Sequence, residues 1–255
     1  MHKMMVPPLT LTLALALALT SAPRLAHACG AAYPGGPVMC DFPRTVAAPR
    51  PIIRISTSYA FTSTTLLFGD GRRADLTRHA VFGALQFPLS RSGALSMQLG
   101  AGGIAGGELV HGSARDSIGP GFAAFTGIAG RVVDGRGAMP FVQLTATLSA
   151  THAITQTATP RGPESPRFTA FDLRLGAIAG KTFADVFTPY VTARVFGGPI
   201  YWRFDGADVT GTDLYKYQLG GGLSLALFER KLDVFVEGIG LGERGAAAGI
   251  GTTFF

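Results

Sequence analysis

The sequence predicts an all-β chain: a closed antiparallel up-and-down transmembrane β-barrel of ten strands, with eight as the alternative. Three observations predict it. Apolar side chains recur with a period of two rather than 3.6. The segments carrying that period are ten residues or longer, against about five or six for an ordinary strand, and a tilted strand needs that length to cross a bilayer. The connections between them alternate between long and short.

Composition removes the other classes. Of 255 residues, 35 are Gly, and only 15% are charged; ordinary soluble domains have roughly 7% Gly and roughly 25% charge. Disorder needs low hydrophobicity and high charge, whereas 47% of this chain is hydrophobic. A soluble enzyme needs more charge to coat its surface. Glycine has no period of three, which excludes collagen. The net charge of +6 comes mainly from scattered Arg, with Lys only at 3, 181, 216 and 231. Nucleic-acid binding is not expected from so dispersed a pattern.

Residues 1–28 read as a secretory signal. His2 and Lys3 precede an apolar run from Leu9 to Thr20, too short to span a bilayer as a helix, and Ala26-His27-Ala28 offers a small-x-small cleavage site. Removing them takes Lys3 and Arg24 and no acid, so the net charge falls from +6 to +4. Cys29 and Cys40 then form a lone pair bracketing a Gly- and Pro-rich loop. Outside the cytoplasm they are most simply a disulfide. The competing reading is a lipidated Cys29, although Ala26 and His27 match a lipid-attachment signal poorly. No metal site is expected, because once residues 1–28 are removed no His lies near the two cysteines.

Ten alternating segments follow, near 51–62, 77–89, 94–106, 118–132, 139–152, 168–182, 188–203, 213–228, 232–241 and 245–255. In 141–151, Val142, Leu144, Ala146, Leu148 and Ala150 oppose Gln143, Thr145, Thr147, Ser149 and Thr151. In 215–227, Tyr215, Tyr217, Leu219, Leu223, Leu225 and Leu227 oppose Lys216, Gln218, Ser224 and Ala226. In 171–179, Phe171, Leu173 and Leu175 oppose Asp172, Arg174 and Gly176. The connections after segments one, three, five and seven read as long polar loops, such as 63–76 and 154–167. The second of these contains TPRGPESPR, which is expected to be neither helix nor strand. The connections 90–93, 133–138, 183–187 and 229–231 are short, and so is 242–244, which breaks the alternation once.

The face opposite the apolar stripe is mostly Gly, Ala, Ser, Thr and Gln, with few charges: Arg54, Arg174, Arg194, Lys216 and Glu237. That is a poor water-facing surface and a good packed lumen, so the apolar face is expected to meet lipid. Aromatic residues support this reading. Tyr201, Trp202, Phe204, Tyr215 and Tyr217 gather at the long-loop ends, and Phe87, Phe141, Phe187, Tyr190 and Phe228 near the short turns, as two interfacial belts would.

These features together resemble the small transmembrane β-barrels of Gram-negative outer membranes. The likeness covers residues 51–255 and rests on the leader, the dyad repeat, the loop asymmetry and the closing segment from Gly249 to Phe255. Such barrels end on an aromatic residue that the barrel assembly machinery reads, and Phe255 matches. Counting back by twos from Phe255 meets Thr253 and Gly251, whereas Phe254, Ile250 and Ala248 suit lipid better. The resemblance implies an even strand number, outer-membrane lipid around the barrel, both termini in the periplasm, a monomer and no cofactor. Residues 29–50 would be a periplasmic segment and 51–255 the barrel.

Little chemistry is written in the chain. The run from Gly100 to Ala105 fits a relaxed dinucleotide pattern, but no βαβ unit follows. His79, His111 and His152 lie near the expected outer rim with several Asp. A rim His–Asp pair could serve as a general base, and outer-membrane proteases of the omptin type use such pairs, but their closely spaced Asp-x-His element is missing. Arg174, Arg194 and Glu237, with Gln218 between them, would sit at middle depth in the lumen, as a selectivity ring or as an ion-pair plug. The plug is favoured, because small barrels have filled interiors. The expected function is an outer-membrane barrel with a largely filled lumen that acts through surface loops or envelope integrity. The alternatives are a small pore or ligand conduit, and a rim enzyme acting on outer-leaflet lipid or peptide.

Overall fold

The computed structural model describes residues 53–255 apart from 91–92, 136, 160–161, 205–206 and 229–230. The leader, Cys29 and Cys40 lie outside the described residues. Thirteen strands form one closed antiparallel sheet: β1 (Ile53–Phe68), β2 (Arg73–Pro88), β3 (Leu95–His111), β4 (Ala114–Asp134), β5 (Phe141–Thr159), β6 (Gly162–Glu164), β7 (Arg167–Gly180), β8 (Phe187–Gly197), β9 (Ile200–Phe204), β10 (Ala207–Asp213), β11 (Tyr217–Leu227), β12 (Leu232–Gly242) and β13 (Arg244–Phe254).

They make ten staves. β8 and β9 are one stave interrupted at Gly198-Pro199, since both pair with β7. β10 and β11 are another, interrupted at residues 214–216. β6 is a short flap paired to the tip of β5. Closure comes from β1 against β13, from Ile53 opposite Phe254 to Ser63 opposite Arg244. The β12–β13 hairpin stops there. Beyond its tip β1 pairs directly with β10, Leu66 facing Asp213 and Phe68 facing Gly211. The wall therefore has ten staves at the rim where the described chain enters and leaves, and eight at the opposite rim. Gly242 permits the tight hairpin turn. Its φ is +75°, and a Cβ there would lie 1.7 Å from the Tyr217 carbonyl oxygen.

The alternation of faces matches the sequence reading. Leu144, Leu148, Leu173, Leu175, Val191, Val195 and Val236 point outward and are about half exposed, while Gln143, Thr145, Thr147, Ser149 and Thr151 point inward and are buried. The long polar loops are a correction. The segment 63–76 is strand except for Gly69–Arg72, and β3 and β4 meet at Gly112-Ser113. Within TPRGPESPR, Gly162–Glu164 form β6, with Pro163 opposite Ala158. A proline is tolerated there because β6 is an edge strand whose second side needs no partner.

These extensions look like polar loops in the sequence because the chemistry of the two faces exchanges along the strands. Toward the eight-stave rim the inward positions turn apolar. Leu66, Leu76, Leu109, Ile118, Phe168 and Trp202 pack into one buried cluster. The outward positions turn polar, with Thr65 bonded to Asp75 at 2.7 Å and Arg115 to Glu108 at 3.2 Å. In its other half the barrel is apolar outside, and its interior carries the buried Ser, Thr, Gln and charged side chains around a smaller cluster of Phe82, Phe125 and Phe235 among alanines. An apolar interior under a polar coat suits water, whereas the reverse suits hydrocarbon.

The abundant glycine has a steric use. On the inner face a glycine repeatedly sits opposite a large side chain on the neighbouring strand: Gly100 opposite Phe125, Gly249 opposite Phe235, Gly222 opposite Tyr190 and Gly176 opposite Arg194. A Cβ on Gly100 would lie 2.2 Å from the Phe125 ring, and one on Gly249 2.5 Å from that of Phe235. The glycines are slots that let rings and guanidinium groups lie across a narrow lumen. Gly249→Val should lower stability by about 1–3 kcal/mol through overpacking, read as a lower temperature for the folded-to-unfolded gel-mobility shift. Gly238→Ala, where a Cβ meets nothing within 4 Å, should leave that temperature unchanged.

Candidate functional site

The lumen is the place where inward charges converge. Nearest the ten-stave rim, Arg54 Nε donates to Asp233 Oδ1 at 3.0 Å and Nη2 to Oδ2 of the same carboxylate; both side chains are buried. Gly251 makes room for this guanidinium, since a Cβ there would lie 2.3 Å from Arg54 Nη2.

Further along, one connected network crosses the lumen. Tyr190 donates its hydroxyl to Glu237 at 3.1 Å, and Arg194 forms an ion pair with Glu237 at 2.9 Å. Arg194 Nη1 also donates to Gln218 Oε1 at 3.2 Å, and Gln218 Nε2 donates to Glu243. Arg174 donates to Glu243 through Nη1 at 3.1 Å and Nη2 at 2.9 Å, and through Nε to Asp172. Asp172 in turn accepts the backbone N–H of Gly197 at 3.1 Å. The Arg174 guanidinium carbon lies 4.6 Å from the centre of the Phe196 ring. Isolated buried charges are costly, and the pairing and extra hydrogen bonds here offset that cost.

Arg54, Arg174, Arg194 and Glu237 are thus inside the barrel. Arg194, Glu237 and Arg174 are joined through Gln218, while Arg54 pairs separately with Asp233. Lys216 is a correction: it is exposed. The β10–β11 stave is interrupted at 214–216, so the phase counted back from Gln218 does not carry through to Lys216. Glu243 was missed. It holds both Arg174 and Gln218 and is 1% exposed, yet it occupies a two-glycine hairpin turn that reads as surface. The available signal is a lone acid in the 242–244 connection, which is short where the alternation calls for a long loop.

Among the aromatic residues, Tyr201, Tyr215, Tyr217 and Phe228 are exposed on the outer face. Trp202 is a correction. It is 3% exposed and points inward, with Nε1 donating to Thr155 Oγ1 at 3.0 Å. It follows Tyr201 directly, and in a strand adjacent side chains take opposite faces. Phe141 and Tyr190 are buried with Ile178 for the same reason of phase. Phe255 lies just beyond β13 and is 37% exposed, and Phe254 lies on the outer face with Ile250.

Among the described residues, His79, His111 and His152 do not converge. His79 stands at the outer face, 2.6 Å from the Tyr59 hydroxyl. His152 contacts Thr169 Oγ1 at 2.9 Å. His111 points inward, pairs with buried Asp116 at 3.1 Å and lies edge-on to Trp202. Gly100 and Gly102 of the dinucleotide-like run receive the Phe125 and Phe82 rings.

Asp213 faces inward from β10, whose outward Asp208, Thr210 and Thr212 place it beyond the apolar band. Thr64 Oγ1 donates to it at 3.1 Å. Burial pushes its carboxyl up to about 6, reinforced by the charge of Glu243 and opposed by Arg174.

Two outcomes follow from this geometry. Arg194→Met strands the Glu237 carboxylate and should cost about 3–5 kcal/mol of stability; Arg194→Met with Glu237→Leu should cost clearly less in the same urea titration. An equal loss in both variants would contradict the ion-pair account. For Asp213 the native pKa exceeds the unfolded value, so the native state holds its proton longer. Its contribution is fully present below about pH 4 and declines as pH rises toward 6. Asp213→Asn should remove that part of the decline in unfolding curves taken between pH 4 and 7.

No protein-family description matches the sequence, and no curated protein does. Solved structures do match. The outer membrane protease OmpT from Escherichia coli is similar at 12% identity over 79% of this chain and 96% of its own, with a TM-score of 0.53. The translocator domain of the autotransporter NalP from Neisseria meningitidis is similar at 12% identity over 82% and 90%, with a TM-score of 0.45. The transport unit of the autotransporter AIDA-I from Escherichia coli is similar at 12% identity over 84% and 94%, with a TM-score of 0.44. At 12% identity the likeness to OmpT is one of architecture: the chain has the fold of an outer-membrane β-barrel.

Proposed function

We propose that the chain is an integral outer-membrane barrel whose lumen is closed by its own side chains, acting from its surface or through envelope integrity rather than as an open channel. One observation carries the reading: the lumen is crossed at three successive levels. These are the Arg54–Asp233 pair, the network from Tyr190 to Asp172, and the apolar cluster containing Leu66, Leu109, Phe168 and Trp202. Open channels of this architecture need about sixteen strands, and narrow barrels are filled by side chains.

In this reading the ten-stave rim, where Ile53 and Phe254 lie side by side, faces the periplasm. The eight-stave rim projects beyond the outer leaflet, which accounts for its polar coat. The barrel is a monomer in outer-membrane lipid, and the assembly machinery reads the aromatic end at Phe255. Planar-bilayer recording with the purified barrel tests the closed lumen. No stepwise conductance is expected; steps whose size changes in Arg194→Glu would overturn the reading.

A further inference from the structure

Between the ion-pair network and the apolar cluster the lumen keeps a cavity of about 70 Å³. Five charged side chains reach its wall. Three of them are fully occupied with one another: Arg174 is held by Asp172 and Glu243, both Glu243 oxygens accept hydrogen bonds, and Asp172 accepts from Arg174 and Gly197.

The other two are Arg78 and Asp213. Among the described residues no hydrogen bond or ion pair involves the Arg78 guanidinium, and the Asp213 carboxylate accepts only from the Thr64 hydroxyl. They do not pair with each other, although the Arg78 charge acts on Asp213 and on Glu243. Arg78 stands on β2 and Asp213 on β10, with β1 between them. A guanidinium offers donors only, and an ionised carboxylate acceptors only. The cavity thus presents an unused cation and a half-used anion across a small gap, beside an apolar wall formed by Leu76, Phe168 and Ile200.

Charge complementarity selects the occupant. A simple anion would satisfy Arg78 and repel Asp213 and Glu243; a simple cation would do the reverse. A compact molecule bearing both charges satisfies both groups at once. We propose that the cavity is a binding site for a small zwitterion of the α-amino-acid class, its carboxylate on Arg78, its ammonium on Asp213, and a short apolar side chain against Leu76, Phe168 and Ile200.

The test is isothermal titration calorimetry of the folded barrel in detergent micelles with L-alanine and L-valine. Fluorescence is a second readout, because Trp202 is the single tryptophan and packs in one cluster with Phe168 and Ile200. Saturable binding of L-valine is expected. N-acetyl-L-valine, which lacks the ammonium, and L-valinamide, which lacks the carboxylate, should each bind about tenfold more weakly or worse, as should the folded Arg78→Gln and Asp213→Asn variants. The derivative series uses the unaltered chain, so the test stands even where a substitution impairs folding. No saturable heat or fluorescence change at millimolar ligand, showing a cavity that holds water alone, would overturn the proposal. Equal binding of either derivative, or unchanged binding in both folded variants, would do the same.

Discussion

An outward face of leucine and valine needs hydrocarbon around it, and hydrocarbon offers a peptide group no hydrogen bond. Every backbone donor and acceptor in that band must find its partner on a neighbouring strand, so the sheet has to close. Pairing β1 with β13 meets that requirement through the apolar band. Where the β12–β13 hairpin ends, β1 meets β10 instead, and the wall stays continuous with two staves fewer. The hairpin tip left at this junction is what brings Glu243 inward to Arg174 and Gln218.

Closure fixes what the interior must be. A ten-stave barrel is too narrow to hold bulk water around isolated charges, so the inward groups satisfy one another. The chain of contacts from Tyr190 through Glu237, Arg194, Gln218, Glu243 and Arg174 to Asp172 ties four strands and a hairpin turn into one arrangement. Inward glycines opposite Phe125, Phe235, Tyr190 and Arg194 supply the space. Doubled glycine content and sparse charge, compositional oddities in the sequence, are two sides of this one packing solution.

Much of the architecture was legible in the sequence, because a period of two with a greasy stripe is a strong physical signal. The ten segments and the inward charges Arg54, Arg174, Arg194 and Glu237 come from that signal alone. Its failures share a cause. A face need not keep one chemistry along a strand, and past Thr62 in β1 the faces keep their phase while exchanging chemistry: Leu66 and Phe68 turn inward where Ser56 and Ser58 did before. Strand then looks like polar loop. Trp202 and Tyr201 share a residue type, but adjacency puts them on opposite faces. Lys216 was lost to an interruption of the stave that no local residue pattern marks. The cavity between Arg78 and Asp213 depends on three strands meeting, and no single stretch of chain encodes it.

The exchange of chemistry along fixed faces is the central claim, and accessibility along β5 tests it most directly. Single cysteines at outward positions 144, 148, 154 and 156, carrying spin labels in lipid-reconstituted protein, can be probed with oxygen and with a water-soluble nickel chelate. Positions 144 and 148 should favour oxygen, and positions 154 and 156 the chelate, with the crossover between them. Chelate access at 144 and 148 equal to that at 156 would contradict the account.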